Sequence, residues 1–219
     1  MSYPYTFFRP DQIEKLRSRV GARLSEKRLK HVLAVEDMAF RLGLLFFWND
    51  GETLNLLRAA ALLHDVTKEL TDEEQLSVLE TYSVTPLPED LASMPTIHAL
   101  TAALIIPRDF PEFADPRLIS AVRYHTTGRE GMSLVEKIIF LADYIDDTRI
   151  YPACVELRNE FFSAHPTDME YGERVRHLDR AALRSIDNNL AYLNAKQRNI
   201  HPLTLSARDD LLRRLGDEA

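Results

Sequence analysis

Apolar residues along the chain recur at intervals of three and four, not two, which is the spacing of one buried helix face. Over Glu26 to Phe47, residues Leu29, Val32, Leu33, Val35, Ala39, Phe40 and Leu42 share a side, and a long amphipathic helix is expected there. A second span runs from about Glu52 to His64 and ends in the apolar run Ala59-Ala60-Ala61-Leu62-Leu63. Helix starts are marked chemically. Thr71-Asp-Glu-Glu74 and Ser133-Leu-Val-Glu136 are capping boxes, and Asp115-Pro116 pairs an N-cap with a proline at the first helical position. The same period predicts helices near 97–106, 116–125, 134–147, 153–162, 174–196 and 204–215. No segment alternates convincingly with period two, so the expected fold class is all-α. Segments 83–89, with two prolines, and 163–168 read as surface loops. The second can also divide a core at 24–150 from a C-terminal helical extension, but a loop within one domain over 24–212, preceded by an N-terminal helical extension at 1–23, is preferred.

The 219 residues are 45% hydrophobic, enough for one well-packed domain. A net charge of -7 argues against a broad nucleic-acid-binding face, while leaving room for a small basic pocket. Cys154 is the single cysteine, so there is no intramolecular disulfide and no zinc site built from several thiolates. No basic and apolar leader begins the chain, and no apolar stretch approaches the roughly 20 residues that span a bilayer. A cytoplasmic protein without membrane contact is expected.

The chemistry concentrates at His64-Asp65, an imidazole beside a carboxylate at the end of a buried run. A divalent ion of borderline hardness accepts both ligand types. His31 sits toward the apolar side of its helix, and Asp143 interrupts Ile138-Ile139-Phe140-Leu141-Ala142, where an unpaired carboxylate is costly to bury. Taken alone, His31 reads as a core histidine and Asp143 as half of a salt bridge; beside His64-Asp65, both read as metal ligands. Lys68, one turn past His64, makes sense beside a metal if a phosphate bridges the two. His125 runs into Thr126-Thr127-Gly128-Arg129, a string of phosphate-binding groups that is also an ordinary glycine-capped helix end. His98 stays open between a second-metal ligand, a phosphate contact and a helix-starting surface histidine. His165, His177 and His201 have no supporting neighbours and read as surface or structural residues. Asp187-Asn188-Asn189 reads either as a nucleoside-pocket lining, through Asn188, or as a polar helix face.

The ordered set His31, His64-Asp65 and Asp143 resembles the HD-domain superfamily of metal-dependent phosphohydrolases. The resemblance sharpens in Ala59-Ala-Ala-Leu-Leu-His-Asp-Val-Thr-Lys-Glu69, Arg123-Tyr-His-Thr-Thr-Gly-Arg129 and Met132-Ser-Leu-Val-Glu-Lys-Ile-Ile-Phe-Leu-Ala-Asp-Tyr-Ile145. With Ser185-Ile-Asp-Asn-Asn-Leu-Ala-Tyr-Leu193 and Ile200-His-Pro-Leu-Thr-Leu-Ser-Ala-Arg208, these are similar to the bacterial YqeK family of symmetrical diadenosine tetraphosphate hydrolases, from about residue 24 to 212. The resemblance implies an HD-domain helical bundle and a centre of iron, or of manganese or another divalent or trivalent metal, on His31, His64, Asp65 and Asp143. It implies cleavage of diadenosine tetraphosphate to two ADP by metal-activated water. Asp65 and Lys68 would be catalytic, and Lys68, His98, Arg123, His125, Thr126, Arg129, Arg149 and Asn188 would contact substrate. Two departures stand out. His98-Ala99 replaces the family's His-Gly, and Ile145-Asp-Asp-Thr-Arg149 replaces Ile-Glu-Pro-x-Arg, so of that loop Arg149 alone is carried over as a phosphate contact. The expected partners are a dinucleoside polyphosphate and its ADP product, not nucleic acid or membrane, and a homodimer is left open. The competing readings are a related phosphohydrolase of nucleoside monophosphates or cyclic nucleotides, and a nucleotide sensor without turnover.

Overall fold

The computed structural model describes residues 9–216, and the first eight residues of the expected N-terminal extension lie outside them. Eleven α-helices and no strand occur among the described residues. In chain order they are α1 (Pro10–Gly21), α2 (Glu26–Phe47), α3 (Gly51–Leu63), α4 (Asp72–Thr81), α5 (Pro88–Ala92), α6 (Ile97–Asp109), α7 (Pro116–Tyr124), α8 (Leu134–Ile145), α9 (Pro152–Ser163), α10 (Tyr171–Ala195) and α11 (Pro202–Gly216). Among these residues no helix is long and apolar enough to cross a membrane.

The apolar run before His64 explains the architecture. Ala59 through Leu63 have no exposed surface, so the end of α3 is covered on every side, and α1, α2, α7 and α8 pack around the helix. Three consecutive alanines keep α3 thin where its neighbours crowd it. Gly43 of α2 serves the same end: a Cβ there would stand 2.6 Å from Leu57 Cδ1 and 3.0 Å from Leu54 Cδ2. The main core extends from Ile13, Leu16 and Val20 of α1 to Phe161 of α9 and Leu178 and Ala181 of α10. A smaller cluster of Phe140, Ala182, Ile186, Ala207 and Leu211 seats α11 on α8 and α10. Inside the α8–α10 contact the buried Lys137 ammonium donates to the buried Asp179 carboxylate. Removing either partner of such a pair would leave a buried charge uncompensated.

The capping boxes form as expected at Thr71–Glu74 and Ser133–Glu136. Several boundaries differ, α10 opening at Tyr171 instead of near 174, and two of them involve proline. Pro88 opens α5 inside the expected loop, because proline fits the first turn of a helix, where its missing N–H is not needed. α6 runs past Ile106 and through Pro107 to Asp109. The proline sits in the last turn, and the Phe110 N–H closes the helix on the Ile106 carbonyl at 2.8 Å. Segment 163–168 contains a left-handed His165 and a 3-10 turn at Pro166–Asp168, and the helices on either side share the main core.

Candidate metal centre

Five helix ends converge on one point. α2 contributes His31, the C-terminus of α3 His64 and Asp65, the first turn of α6 His98, the C-terminus of α7 His125, and the last turn of α8 Asp143. The Nε2 of His31 lies 3.0 Å from Asp143 Oδ1 and 3.8 Å from Asp65 Oδ2, and His64 Nε2 lies 3.5 Å from Asp65 Oδ2 and 3.8 Å from Asp143 Oδ1. The other oxygen, Asp65 Oδ1, faces His98 Nε2 at 3.1 Å and His125 Nε2 at 3.7 Å. His31, His64 and Asp143 form one group with metal-ligand spacing, and His64, Asp65 and His125 form another that shares His64.

Ring orientation is set from behind. The Nδ1 atoms of His64, His98 and His125 lie 2.5, 3.0 and 2.7 Å from the carbonyls of Ala61, Pro95 and Val122, each three residues back. An N–H that donates to a carbonyl fixes the tautomer and leaves Nε2 as a lone pair facing inward. His31 is held differently: its Nδ1 lies 3.3 Å from Asp146 Oδ2 and 3.4 Å from Thr148 Oγ1. The Nε2 atoms of His31 and His64 are buried and have no hydrogen-bond partner. His98 Nε2 and His125 Nε2 stand 3.1 Å apart, a contact that needs a proton or a cation between them. Two orphaned imidazole nitrogens, with two carboxylate oxygens directed at the same point, are a donor set that fits a borderline divalent ion.

The electrostatics agree. Burial pushes the pKa of His64 and of His98 down to about 4, keeping both rings neutral and able to ligate. Burial also works to lower the pKa of His31, but Asp143 and Asp146 outweigh it and raise the value to about 9, so a bound metal must displace a proton there. Asp65 and Asp143 stay ionised, well below the usual carboxylate range, despite burial. A proton or cation on the Nε2 side of His64, His125 and His98 holds the first, and Arg149 with His31 and His64 the second.

Each ligand carboxylate also carries an arginine. Arg28 donates to Asp65 Oδ2 at 2.7 Å, and Arg149 donates to Asp143 Oδ1 at 2.5 Å and through Nε to the Asp143 carbonyl at 2.8 Å. Lys68 Nζ lies 3.2 Å from His98 Nδ1 and 3.3 Å from the Pro95 carbonyl, and burial lowers its pKa. From this centre opens a cavity of about 1010 Å³, walled by His125, Thr126, Asp143 and Arg149 at the metal end and by Tyr144, Asn188, Tyr192 and His201 further out. The buried Thr126 hydroxyl has no partner. Tyr144, whose pKa burial raises to about 12, is hydrogen-bonded to Asn188.

Of the residues singled out from sequence, His31, His64, Asp65, Lys68, His98, His125 and Asp143 are brought together at the centre, and Thr126, Arg149 and Asn188 line the cavity. Arg123 and Arg129 are not. Arg129 donates to Glu136 from Nε at 2.7 Å and from Nη2 at 3.0 Å, supporting the buried carboxylate that caps α8. Arg123 lies over the Tyr124 ring, with Nη2 3.5 Å from Asp90. The sequence reading passed over Arg28, although it stands one turn before His31. It also passed over Asp146, visible only as an acidic residue three after Asp143, while His201, read as surface or structural, is buried, lies 3.3 Å from Asp90 and reaches the cavity wall.

A model of the HD domain family matches residues 28–148. A protein of Halalkalibacterium halodurans named symmetrical bis(5'-nucleosyl)-tetraphosphatase is 31% identical over 193 residues, covering 88% of this chain and 93% of the relative. A Bacillus subtilis protein of the same name is 30% identical, with 84% and 89% covered. The crystal structure of a predicted HD superfamily hydrolase involved in NAD metabolism from Clostridium acetobutylicum superposes with a TM-score of 0.77 at 32% identity, over 92% of this chain and 97% of that one.

Proposed function

The chain belongs to the HD domain family, and on that premise we propose that it is a metal-dependent phosphohydrolase that cleaves diadenosine tetraphosphate symmetrically into two ADP. His31, His64, Asp65 and Asp143 would hold the ion, with iron the identity that the family resemblance favours. When bound, such an ion stabilises charge on phosphoryl oxygens and lowers the pKa of water. The remaining work falls to the chain. Arg149, at the junction of centre and cavity, offsets polyphosphate charge, and Lys68 adds a cation beside His98. Asp65 Oδ1 is directed at His98 and His125, and its lowered pKa suits it to accept a hydrogen bond from water and orient it rather than to bind a proton tightly. The Thr126 hydroxyl is free to donate to a non-bridging oxygen. Asn188, Tyr144 and Tyr192 give the outer cavity the mix of aromatic and amide groups that nucleoside recognition uses. Fixed donors of this kind supply the larger part of phosphoryl-transfer catalysis. A soluble cytoplasmic enzyme without nucleic-acid partners, alone or as a homodimer, completes the reading.

The observation that carries the proposal is the pair of orphaned Nε2 atoms of His31 and His64, held against two carboxylates beside a nucleotide-sized cavity. The test is chromatography of products after incubation of metal-loaded protein with diadenosine tetraphosphate. ADP as the sole product is expected. ATP with AMP, preferential cleavage of a nucleoside monophosphate or cyclic nucleotide, or tight ADP binding with no turnover would overturn the assignment.

A further inference from the structure

We propose that Arg28 binds the phosphates of the dinucleotide half that lies outside the cavity, an inference that rests on the function proposed above. A substrate cleaved at its middle must place its central anhydride at the metal centre and extend one nucleoside diphosphate to either side. The cavity wall includes Asp143 and Arg149, together with His125, whose Nε2 faces Asp65 Oδ1. Arg28 is not part of that wall. It projects from the first turn of α2 to the Asp65 side of the same centre, and its side chain keeps 29% of its surface exposed. The two arginines thus attend different ligand carboxylates, one from the cavity wall and one from outside it.

The electrostatics explain why Arg28 needs an anion. It donates to Asp65 Oδ2, the one of that carboxylate's oxygens that faces His31 Nε2 at 3.8 Å and His64 Nε2 at 3.5 Å and so is presented to a cation. A divalent ion held by those groups and a guanidinium on the same oxygen are like charges a few ångströms apart in a partly buried site. Their repulsion is relieved when a phosphate oxygen contacts both. Lys68, whose Nζ lies 3.2 Å from His98 Nδ1, adds a further cation at the centre. Among the described residues Arg28 donates from Nη1 to Asp65, and a planar guanidinium, able to make two parallel hydrogen bonds, suits a terminal diphosphate better than a point charge does.

The test compares wild type, Arg28→Gln and Arg28→Lys in two measurements. The first is equilibrium binding of diadenosine tetraphosphate and of ADP in excess chelator, where no turnover occurs; the second is steady-state kinetics with metal restored, alongside metal content. The expected result for Arg28→Gln is tetraphosphate binding weakened by about tenfold or more, with KM raised to match. ADP affinity and metal content should stay within twofold of wild type, because ADP uses the cavity half. Arg28→Lys should recover part of the loss, and it carries the test if the glutamine variant fails to fold. Wild-type-like binding of the tetraphosphate by the variants overturns the inference. So does parallel loss of ADP and metal, which would make Arg28 a positioning residue for Asp65, and so does a wild type that binds the tetraphosphate no better than ADP in chelator. A wild type that binds the tetraphosphate without cleaving it defeats the proposed function instead, and the chelator comparison still decides the role of Arg28.

Discussion

Replacing Asp146 by asparagine probes the centre from behind. Asp146 has no exposed surface, its Oδ1 accepts from the Thr148 N–H at 2.8 Å and from the Thr148 hydroxyl, and its Oδ2 lies 3.3 Å from His31 Nδ1 and 3.2 Å from Arg149 Nε. Asparagine keeps the shape and can keep the bond from Thr148. At the second oxygen, however, it removes the charge and can present an amide N–H to His31 Nδ1. That contact would reverse the tautomer, put a proton on Nε2 and block ligation. Loss of such a supporting partner typically costs about 10–100-fold in metal affinity, or about 1.4–2.7 kcal/mol. Complete burial of Asp146 places the expectation in the upper half of that range. The assay is competition for manganese or iron against a chromophoric chelator, with denaturant unfolding of the metal-free protein to confirm the fold. An Asp146→Asn protein of normal stability that binds metal within twofold of wild type would refute the argument that the back of His31 controls its front.

Other expectations follow from the same geometry. Arg129→Ala should destabilise the protein by about 1–3 kcal/mol, because the buried Glu136 loses its charged partner, keeping only its bonds from Ser120 and Ser133, while Arg129 itself is a third exposed, and the KM of the folded variant should not change; a raised KM would return Arg129 to the substrate. Gly43→Ala should cost about 1–2 kcal/mol in urea unfolding, the clash with Leu57 and Leu54 exceeding the gain in helix propensity, and a stabilised variant would show that α2 and α3 pack more loosely than described. The metal-free protein should be most stable near pH 6.5. His64 and His98, with folded pKa values of about 4, bind fewer protons than the unfolded chain, so stability falls as pH drops from 6.5 toward 4. His31, raised to about 9, contributes stability that is complete below 6.5 and lost as pH rises through 9. Denaturation midpoints that stay level from pH 5 to 9 would contradict all three assignments.

The helices could be read from sequence wherever their starts are chemically marked. Thr71, Asp115 and Ser133 each cap a helix with a side chain, so the local sequence and the tertiary structure make the same demand. Pro88 and Pro107 misled because a proline is disruptive only in a helix interior, and sequence alone does not say which turn it occupies. At the site, His31 and Asp143 were legible because polar groups on apolar faces need a reason to be buried. Arg129 shows the limit of that logic: a guanidinium after His-Thr-Thr-Gly has the right chemistry for phosphate, yet Glu136, fixed by its own capping role, lies closer. Asp146 and His201 acquire their roles from partners 115 and 111 residues away in sequence, His31 and Asp90, which no local pattern encodes.

Three of the four imidazoles at the centre are aimed by carbonyls three residues back, two within their own helices and one, Pro95, in the 3-10 turn that leads into α6, so their direction comes with local backbone folding. Assembly can therefore finish before any ion arrives. Starvation for metal would leave a folded reserve that revives on resupply, rather than a chain that must be made again.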